Sequence, residues 1–136
     1  MSQPTPLDSL IEHARAQRDE ALQRLARSLA ASRAAEDKLG LLESYRAEYR
    51  ERLAGATANG ITVAQLRAYD LFLDKLDAAI EQQRAIARKQ AESAAAGRTA
   101  WAGSESRLHG YRALRERRAA SAAAAERQSA PLVRYA

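Results

Sequence analysis

The 136-residue sequence contains no cysteine, which excludes disulfides and thiolate-bound metal sites. It has only three prolines, and none of them interrupts a helix between residues 7 and 130. Aromatic residues make up 5% of the chain, and 33 of the residues behind its 46% hydrophobic content are alanine. Bulky apolar side chains are therefore too few for the thick core of a globular domain. No apolar run approaches the roughly 18 residues of a membrane span, and no secretory leader is visible, so we expect a soluble protein.

The net charge of +5 comes entirely from the last third of the chain. Residues 1–97 hold 14 basic and 14 acidic side chains, whereas residues 98–136 hold eight arginines and three glutamates. A nucleic-acid site is disfavoured because the arginines at 112–118 lack interleaved aromatic residues and a recognition motif. A membrane-surface helix would need bulky apolar groups where this segment has alanines. The basic segment is interpreted either as a solvated helix face or as a site for an acidic protein partner.

Hydrophobic periodicity predicts two long helices. One mostly apolar position recurs every seven residues, without a slip, from Leu66 to Leu108. A second heptad frame, less regular, runs from Ile11 to Leu53 and includes Arg18 at a core position. Heptads sustained over this length indicate a coiled coil rather than a globular bundle.

Turn signals place the connection between the two helices. The segment Gly55-Ala-Thr-Ala-Asn-Gly60 contains two glycines and an Asn-Gly pair, and Thr62 with Gln65 has the spacing of a capping box. We predict a single coiled-coil hairpin over residues 1–136, with a helix at about 7–54, a turn at 55–61, a helix at about 62–128 and a flexible tail at 129–136. The fold class is all-α: two long antiparallel helices, of which the second is longer and overhangs from about residue 112.

The residue inventory does not support catalysis. No glycine-rich phosphate loop followed by Lys-Ser or Lys-Thr is present. The two histidines, His13 and His109, fall at outer heptad positions without clustered carboxylates, so we predict neither a metal site nor acid–base chemistry there. A slim hairpin also offers no concave pocket. We therefore predict that the protein is not an enzyme and needs no cofactor.

The two sides of the predicted seam differ in chemistry. In an antiparallel pair, the heptad e positions of both helices share one side and the g positions share the other. The side called here the e flank carries facing charges, with Glu36, Glu43 and Arg50 opposite Asp70, Asp77 and Arg84. The g flank carries Lys38 and Tyr45 opposite Phe72, Ala79 and Ile86. Such an apolar, aromatic flank either thickens the seam or docks another protein.

Several short series follow one another along nearly the whole chain, most densely between residues 39 and 83. They are Leu42-Glu-Ser-Tyr45-Arg-Ala-Glu-Tyr49, Gly60-Ile61-Thr62, Phe72-Leu-Asp-Lys-Leu76-Asp-Ala-Ala79-Ile80-Glu-Gln-Gln83, Trp101 and Leu114-Arg-Glu-Arg117. In these series the sequence resembles the FliJ family, the small coiled-coil proteins of the bacterial flagellar type III export apparatus.

The resemblance implies a stalk-like hairpin that links the ring of the export ATPase FliI to the export-gate membrane protein FlhA and works with other export chaperones. By the same resemblance, the export-gate site consists of Lys38, Leu42, Tyr45, Tyr49, Phe72, Leu76, Ala79 and Gln83. Because the ends of such hairpins engage the ATPase in this family, the expected ATPase site is the basic cluster of Arg112, Arg115, Arg117 and Arg118. The implied location is cytoplasmic, at the inner face of the membrane below the flagellum, with membrane contact only through protein partners.

Three other interpretations stay open at this point. The chain could be the equivalent stalk protein of a virulence type III secretion system, which would share its fold and role. A different class of function is a basic helical hairpin that binds nucleic acid, for which salt-dependent retention would be the sign. A third is a purely structural coiled coil that associates with itself through the g flank.

Overall fold

A computed structural model describes residues 3–129, and these residues form two α-helices. Helix α1 spans Pro6–Asn59, and helix α2 spans Val63–Ser129. Residues 3–129 contain no β-strand, so the predicted all-α class of two packed helices is confirmed. Within the same residues, no helix is both long and apolar enough to cross a membrane. The predicted flexible tail lies outside the described residues, except for Ser129, which ends α2.

The connection between the helices is shorter than the predicted turn at 55–61. Helix α1 continues through Gly55 to Asn59, because a glycine in a helix costs only about 1 kcal/mol and the backbone there keeps its helical hydrogen bonds. Gly60 is the residue that stops the helix. Its φ of 86° lies in the left-handed region, and its N–H donates to the Thr57 carbonyl at 3.3 Å, as in a glycine-terminated helix end.

Helix α2 begins with the predicted capping box. The Thr62 N–H donates to Gln65 Oε1 at 3.0 Å, and the Gln65 N–H donates to Thr62 Oγ1 at 3.1 Å. Each residue thus satisfies a backbone donor that the first turn of the helix leaves without an internal partner. The second helix therefore starts where the sequence predicted.

A second capping box begins α1. The Thr5 N–H donates to Asp8 Oδ2 at 3.0 Å, and the Asp8 N–H donates to Thr5 Oγ1 at 3.1 Å. Pro6 occupies the first helical position, where its missing N–H costs nothing. The hydrogen bond from the Thr5 backbone, then that from its hydroxyl, together with the Arg115 guanidinium, hold the pKa of Asp8 below its ordinary value.

This lowered pKa makes the start of α1 sensitive to acid. The charged form of Asp8 stabilises the fold fully above the ordinary carboxyl pKa of about 4, and that contribution is lost as the pH falls through the lower pKa of the folded state. An Asp8→Asn variant should therefore melt below the wild type at pH 7, and the difference should shrink as the pH falls below about 4. Thermal melts across this range test it, with the exposed Asp74→Asn as the control. A difference that does not depend on pH would contradict the prediction.

The chain forms two compact units. The central unit is Arg24–Gly97, and the terminal unit comprises the described residues up to Gln23 and from Arg98 onward. In the central unit the two helices run antiparallel, since Ala35 meets Gln83 whereas Tyr49, further along α1, meets Tyr69. In the terminal unit they also run antiparallel, because Asp8 and Arg18 form ion pairs with Arg115 and Glu105 respectively.

The buried positions of each unit follow the predicted heptads. The central unit buries Leu25, Ala35, Leu76, Ile80, Ala87 and Ala94, and the terminal unit buries Leu7, Ile11, Ala14, Ala21 and Leu108. Many of these residues are alanines, so the helices approach closely: a Cβ added at Gly97 would lie 3.4 Å from Leu25 Cδ1. The arginines that interrupt the seam, Arg18 and Arg46, are half-buried and form ion pairs with Glu105 and Asp77.

The contacts of α2 with α1 extend beyond the predicted limit at residue 112. Tyr111 and Leu114 pack against the buried cluster of Leu7, Ile11, Ala14 and Leu108, and Arg115 pairs with Asp8 at 3.7 Å. The predicted limit considered only directly facing positions, whereas side chains of α2 lean toward its N-terminus, so Leu114 and Arg115 still reach the start of α1. Within residues 116–129, no ion pair or hydrogen bond reaches α1, so any overhang begins after Arg115.

Gly40 in α1 and Gly60 in the connection should respond in opposite directions to substitution by alanine. Gly40 lies in the helix with open space around its Cβ position, so Gly40→Ala should raise the free energy of unfolding by up to about 1 kcal/mol. Gly60 also has open space, but its positive φ makes Gly60→Ala destabilising by about 1 kcal/mol. Urea unfolding followed by circular dichroism measures both. Equal shifts in the two variants would contradict the assignment of Gly60 as the helix stop.

Candidate docking surface

Four aromatic rings of the central unit form one cluster on and beside the g flank. Tyr45 and Tyr49 lie one turn apart on α1, and Tyr69 and Phe72 lie one turn apart on α2. The Tyr49 ring is the hub: its centroid is 4.2 Å from that of Phe72, 5.3 Å from that of Tyr69 and 6.2 Å from that of Tyr45. Tyr45 also meets the edge of Phe72 at 6.1 Å. These separations are typical of favourable aromatic pairs.

The cluster has a partly buried base and an exposed top. Tyr49, Tyr69 and Phe72 are half-buried, whereas 47% of Tyr45 is exposed. An exposed tyrosine whose ring rests on other rings offers a large contact area. Its side chain is already ordered, so it loses little conformational entropy when a partner covers it. Such an arrangement can anchor a protein partner.

The remaining residues of the predicted export-gate site divide by depth. Lys38 is exposed, and Leu42 and Ala79 are half-buried. Leu76 and Gln83 are buried, and Gln83 is only 5% exposed. The Gln83 side chain donates from Nε2 to the Ala35 carbonyl at 3.1 Å, so its amide is engaged within the unit. These two residues support the surface from below.

An apolar groove continues the g flank beyond the aromatic cluster. Its volume is about 340 Å³, and it is lined by Ala31, Ala34, Ala35 and Lys38 from α1 and by Gln83, Ile86 and Gln90 from α2. The small alanine side chains leave the groove open, and 41% of Ile86 is exposed in its wall. The groove therefore adds apolar surface next to Lys38.

The sequence interpretation missed Leu41, which is 72% exposed. It lies three residues after Lys38 and four before Tyr45, and this spacing places the three side chains on one face of α1. The signal was present in the sequence, but Leu41 is neither an e nor a g residue of the heptad. It extends the aromatic and apolar surface outward over α1.

The opposite side of the central unit is closed by charge pairs. Arg84 forms ion pairs with Glu43 at 3.6 Å and Glu81 at 3.5 Å, and Arg46 pairs with Asp77. Glu43 and Arg84 both belong to the e flank that the sequence predicted to be charged, but the predicted register set Arg84 opposite Glu36 rather than Glu43. Exposed pairs of this kind contribute at most about 1 kcal/mol each, so they make the flank polar rather than rigid. The two flanks of the central unit therefore offer different chemistry to a partner.

The four arginines of the predicted ATPase site belong to the terminal unit and differ in availability. Arg112 is half-buried, and Arg115 pairs with Asp8 of α1. Arg117 and Arg118 are exposed, and neither has an ion pair among the described residues. Within residues 3–129, Arg117 and Arg118 are thus the two members of the cluster that are both exposed and without an ion pair.

The other residues that the sequence singled out lie as follows. His13 and His109 are both exposed, and within residues 3–129 no group of three or more His, Cys, Asp or Glu side chains could hold a metal ion. Trp101 is half-buried at its heptad position, and its Nε1 is buried without a hydrogen-bond partner in the described part of the chain. A half-buried Trp101 fits the seam role that its heptad position predicts.

Comparison with known proteins agrees with this geometry. A family model described as "Flagellar FliJ protein" matches residues 2–129. The flagellar FliJ protein of Salmonella typhi is 29% identical over 126 residues, which cover 93% of this chain and 86% of that protein. The flagellar FliJ protein of Escherichia coli strain K12 is 30% identical over 92 residues, which cover 68% of this chain and 63% of that protein. Because the family model spans nearly the whole sequence, the chain belongs to the flagellar FliJ family and with it to the flagellar export apparatus.

Proposed function

We propose that the chain is a non-enzymatic stalk that links the export ATPase FliI to the export-gate protein FlhA and promotes export of flagellar substrates. The observation that carries this proposal is the exposed Tyr45 above the Tyr49–Phe72 pair on the g flank. An aromatic cluster that is held in place but left partly uncovered is the usual centre of a protein-docking surface.

The g flank of the central unit is the proposed gate-binding surface. It combines the aromatic cluster with the half-buried Leu42 and Ala79 and the adjoining groove. The e flank is a poorer alternative because it is charged, and Glu43, Asp77 and Arg84 there already take part in ion pairs. A partner that bound there would have to displace these pairs, whereas on the g flank it covers apolar surface and gains the hydrophobic contribution directly.

The proposed ATPase-binding surface is the basic part of α2 in the terminal unit. Arg117 and Arg118 are exposed and unpaired among the described residues, so their attraction for an acidic partner is not offset within the chain. Arg115 contributes less, because its guanidinium is shared with Asp8. This surface and the g flank use different residues, so the chain can bind two partners at once.

The proposed mechanism is mechanical rather than chemical. One surface of the chain binds the ATPase and the other binds the gate, so a change of state in the ATPase ring alters the force or position imposed on the gate. The chain itself supplies binding surfaces and no reacting groups. Its working location is then the cytoplasmic face of the membrane at the flagellar base, reached through its protein partners.

Binding to the two partners should be separable by mutation. Tyr45→Ala removes the most exposed ring of the cluster and should weaken binding to the purified cytoplasmic part of the gate protein by about 30-fold, as expected for a central aromatic anchor. Its affinity for the ATPase should not change. Arg117→Gln combined with Arg118→Gln should weaken ATPase binding several-fold and leave gate binding intact. Isothermal titration calorimetry with each partner measures both effects.

Leu71→Ala is the matched control for the aromatic variant. Leu71 is 63% exposed on α2 and lies outside the g flank, so its loss removes a similar apolar area without touching the proposed site. Circular dichroism should show that all variants keep their helix content. If Tyr45→Ala binds the gate protein as tightly as the wild type does, or if Leu71→Ala binds as weakly as Tyr45→Ala, the gate-binding proposal is wrong.

A further inference from the structure

All three lysines of the chain lie around the g flank. Lys38 belongs to this flank and lines the groove together with Ile86. Lys75 follows Phe72 by three residues on α2, and Lys89 follows Ile86 by three. Residues three apart on a helix share a face, so both lysines lie at the outer rim of the flank. The other basic residues of the chain are arginines, and all three lysines belong to the central unit.

None of these lysines is neutralised within the described part of the chain. Lys38, Lys75 and Lys89 are exposed, and every ion pair described for residues 3–129 uses an arginine instead. In the central unit, the ion pairs of Arg46 and Arg84 lie on and beside the e flank. The g flank therefore carries three lysines without an ion pair around its apolar centre, with the exposed Glu48, three residues after Tyr45, as an acidic neighbour.

The centre of this surface is apolar and accessible. Leu41 and Tyr45 from α1 and Ile86 from α2 are all exposed, and the groove beside Lys38 is walled by alanines. Large apolar side chains left in the open at the centre of a charged rim are typical of a protein interaction site. We call the combination of Leu41, Tyr45 and Ile86 with the three lysines the lysine-rimmed surface.

The chemistry of the lysine-rimmed surface favours an acidic protein segment over other partners. An anionic membrane or a nucleic acid is bound by dense clusters of four or more basic side chains, and three lysines spread around an apolar centre are too sparse. A second copy of this chain that docked through its own g flank would set lysines against lysines, and on its e flank Glu43 and Asp77 are already paired with arginines. An amphipathic segment with free carboxylates would satisfy both the rim and the centre.

We propose that the lysine-rimmed surface recognises an acidic amphipathic helix of the export-gate protein, with carboxylates directed at Lys38, Lys75 and Lys89 and apolar side chains seated on Leu41, Tyr45 and Ile86. This inference rests on the proposed gate-binding function and specifies the chemistry of the bound segment. Lys75 and Lys89 are separated by four helical turns, or about 21 Å along the axis of α2. The bound helix should therefore carry acidic groups about four turns apart on either side of its apolar residues.

A charge-matched pair of double variants tests the rim. Lys75→Gln with Lys89→Gln removes two rim charges, whereas Arg67→Gln with Arg88→Gln removes two exposed charges of the same unit outside the g flank. Calorimetric titration with the purified cytoplasmic part of the gate protein should show about fivefold weaker binding for the lysine variant and a smaller dependence on salt concentration. The arginine variant should bind like the wild type. None of these four side chains has an ion pair in the described structure, so both variants should fold normally.

A second matched pair tests the apolar centre. Leu41→Gln should weaken gate binding several-fold because Leu41 lies between Lys38 and Tyr45 on one face of α1. Leu71→Gln changes a leucine that is 63% exposed, against 72% for Leu41, and that lies outside this surface, so it should have no effect. Equal behaviour of these two variants would overturn the assignment of Leu41 to the surface.

The outcomes separate this inference from the function on which it rests. If Tyr45→Ala weakens gate binding but the lysine variant binds like the wild type, the acidic-helix inference is wrong and the gate-binding proposal stands. If neither variant differs from the wild type, or the wild type does not bind, both fall. Equal weakening by the lysine and arginine variants would show a general charge effect and overturn the inference. Loss of retention on phosphatidylserine vesicles by the lysine variant, with unchanged gate binding, would assign the rim to lipid instead.

Discussion

Leu108→Ala should lower the free energy of unfolding by about 3 kcal/mol, the largest effect on stability that we expect from a single truncation in this chain. Leu108 is the one bulky side chain of residues 3–129 with 0% of its surface exposed. It packs in one cluster with Leu7, Ile11 and Ala14. In a core of only two helices, few neighbouring side chains can move in to fill the cavity, so most of the lost contacts are not replaced.

Urea unfolding followed by circular dichroism measures the loss, and hydrogen exchange locates it. The faster exchange should concentrate in the terminal unit, because Leu108 and its whole cluster belong to that unit. The control is Leu71→Ala, which truncates a 63%-exposed leucine and should cost less than about 0.5 kcal/mol. Comparable losses in the two variants would show that burial of Leu108 does not hold the terminal unit together.

Tyr49→Ala should destabilise the central unit by about 2 kcal/mol. The Tyr49 ring contacts three other rings, at centroid distances of 4.2 to 6.2 Å, so its removal eliminates three aromatic pairs and leaves Phe72 and Tyr69 without their common neighbour. The cost stays below that of a fully buried aromatic residue because Tyr49 is half-buried. Thermal and urea unfolding measure it, and faster hydrogen exchange should appear within Arg24–Gly97.

Tyr49→Phe is the matched control for this variant. It keeps the ring and removes only the hydroxyl, which has no hydrogen bond among the described residues, so its stability should stay near that of the wild type. If the phenylalanine variant loses as much stability as the alanine variant, the ring contacts are not the cause. Because Tyr49 supports the fold and Tyr45 lies at its surface, loss of gate binding in Tyr49→Ala would mix two effects. Tyr45→Ala is the cleaner test of binding.

Much of the fold was predictable because a coiled coil is built from local, periodic contacts. The seven-residue repeat that ends at Leu108 identified buried positions such as Ile80 and Ala94 before their neighbours were known. The capping box at Thr62 was equally visible, since its hydrogen bonds join residues only three apart. The charged character of the e flank was predictable too, but the pairing was not: the predicted register set Arg84 opposite Glu36, whereas Arg84 pairs with Glu43.

Two boundaries were misplaced, the end of α1 and the start of the overhang. At the first, the same sequence signal is compatible with two structures. A glycine can end a helix or remain inside it, and only the backbone angle separates Gly60, at a φ of 86°, from the helical Gly55. The overhang was placed too early because the long side chains of Leu114 and Arg115 lean back toward the start of α1, which the count of facing positions does not include. Both errors concern helix ends, where one or two hydrogen bonds decide the outcome.

In the candidate site, too, some features could be predicted from the sequence and others could not. The g flank and its aromatic residues came from the heptad, and Phe72 and Tyr45 do meet across it. The heptad could not show that the Gln83 amide donates a hydrogen bond to the Ala35 carbonyl or that Arg115 pairs with Asp8. These pairings join residues far apart in the sequence, and they decide which side chains remain available to a partner.

The sequence by itself thus determined two antiparallel helices, the residues of their seam and the different chemistry of their flanks, because helix periodicity assigns each residue a side without reference to distant residues. Only the tertiary structure decided which members of each flank are free. Tyr45, Arg117 and Arg118 stay exposed, while Gln83 and Arg115 are engaged within the chain. The physical reason is that availability depends on distances between the two helices, which a repeat along one helix does not contain.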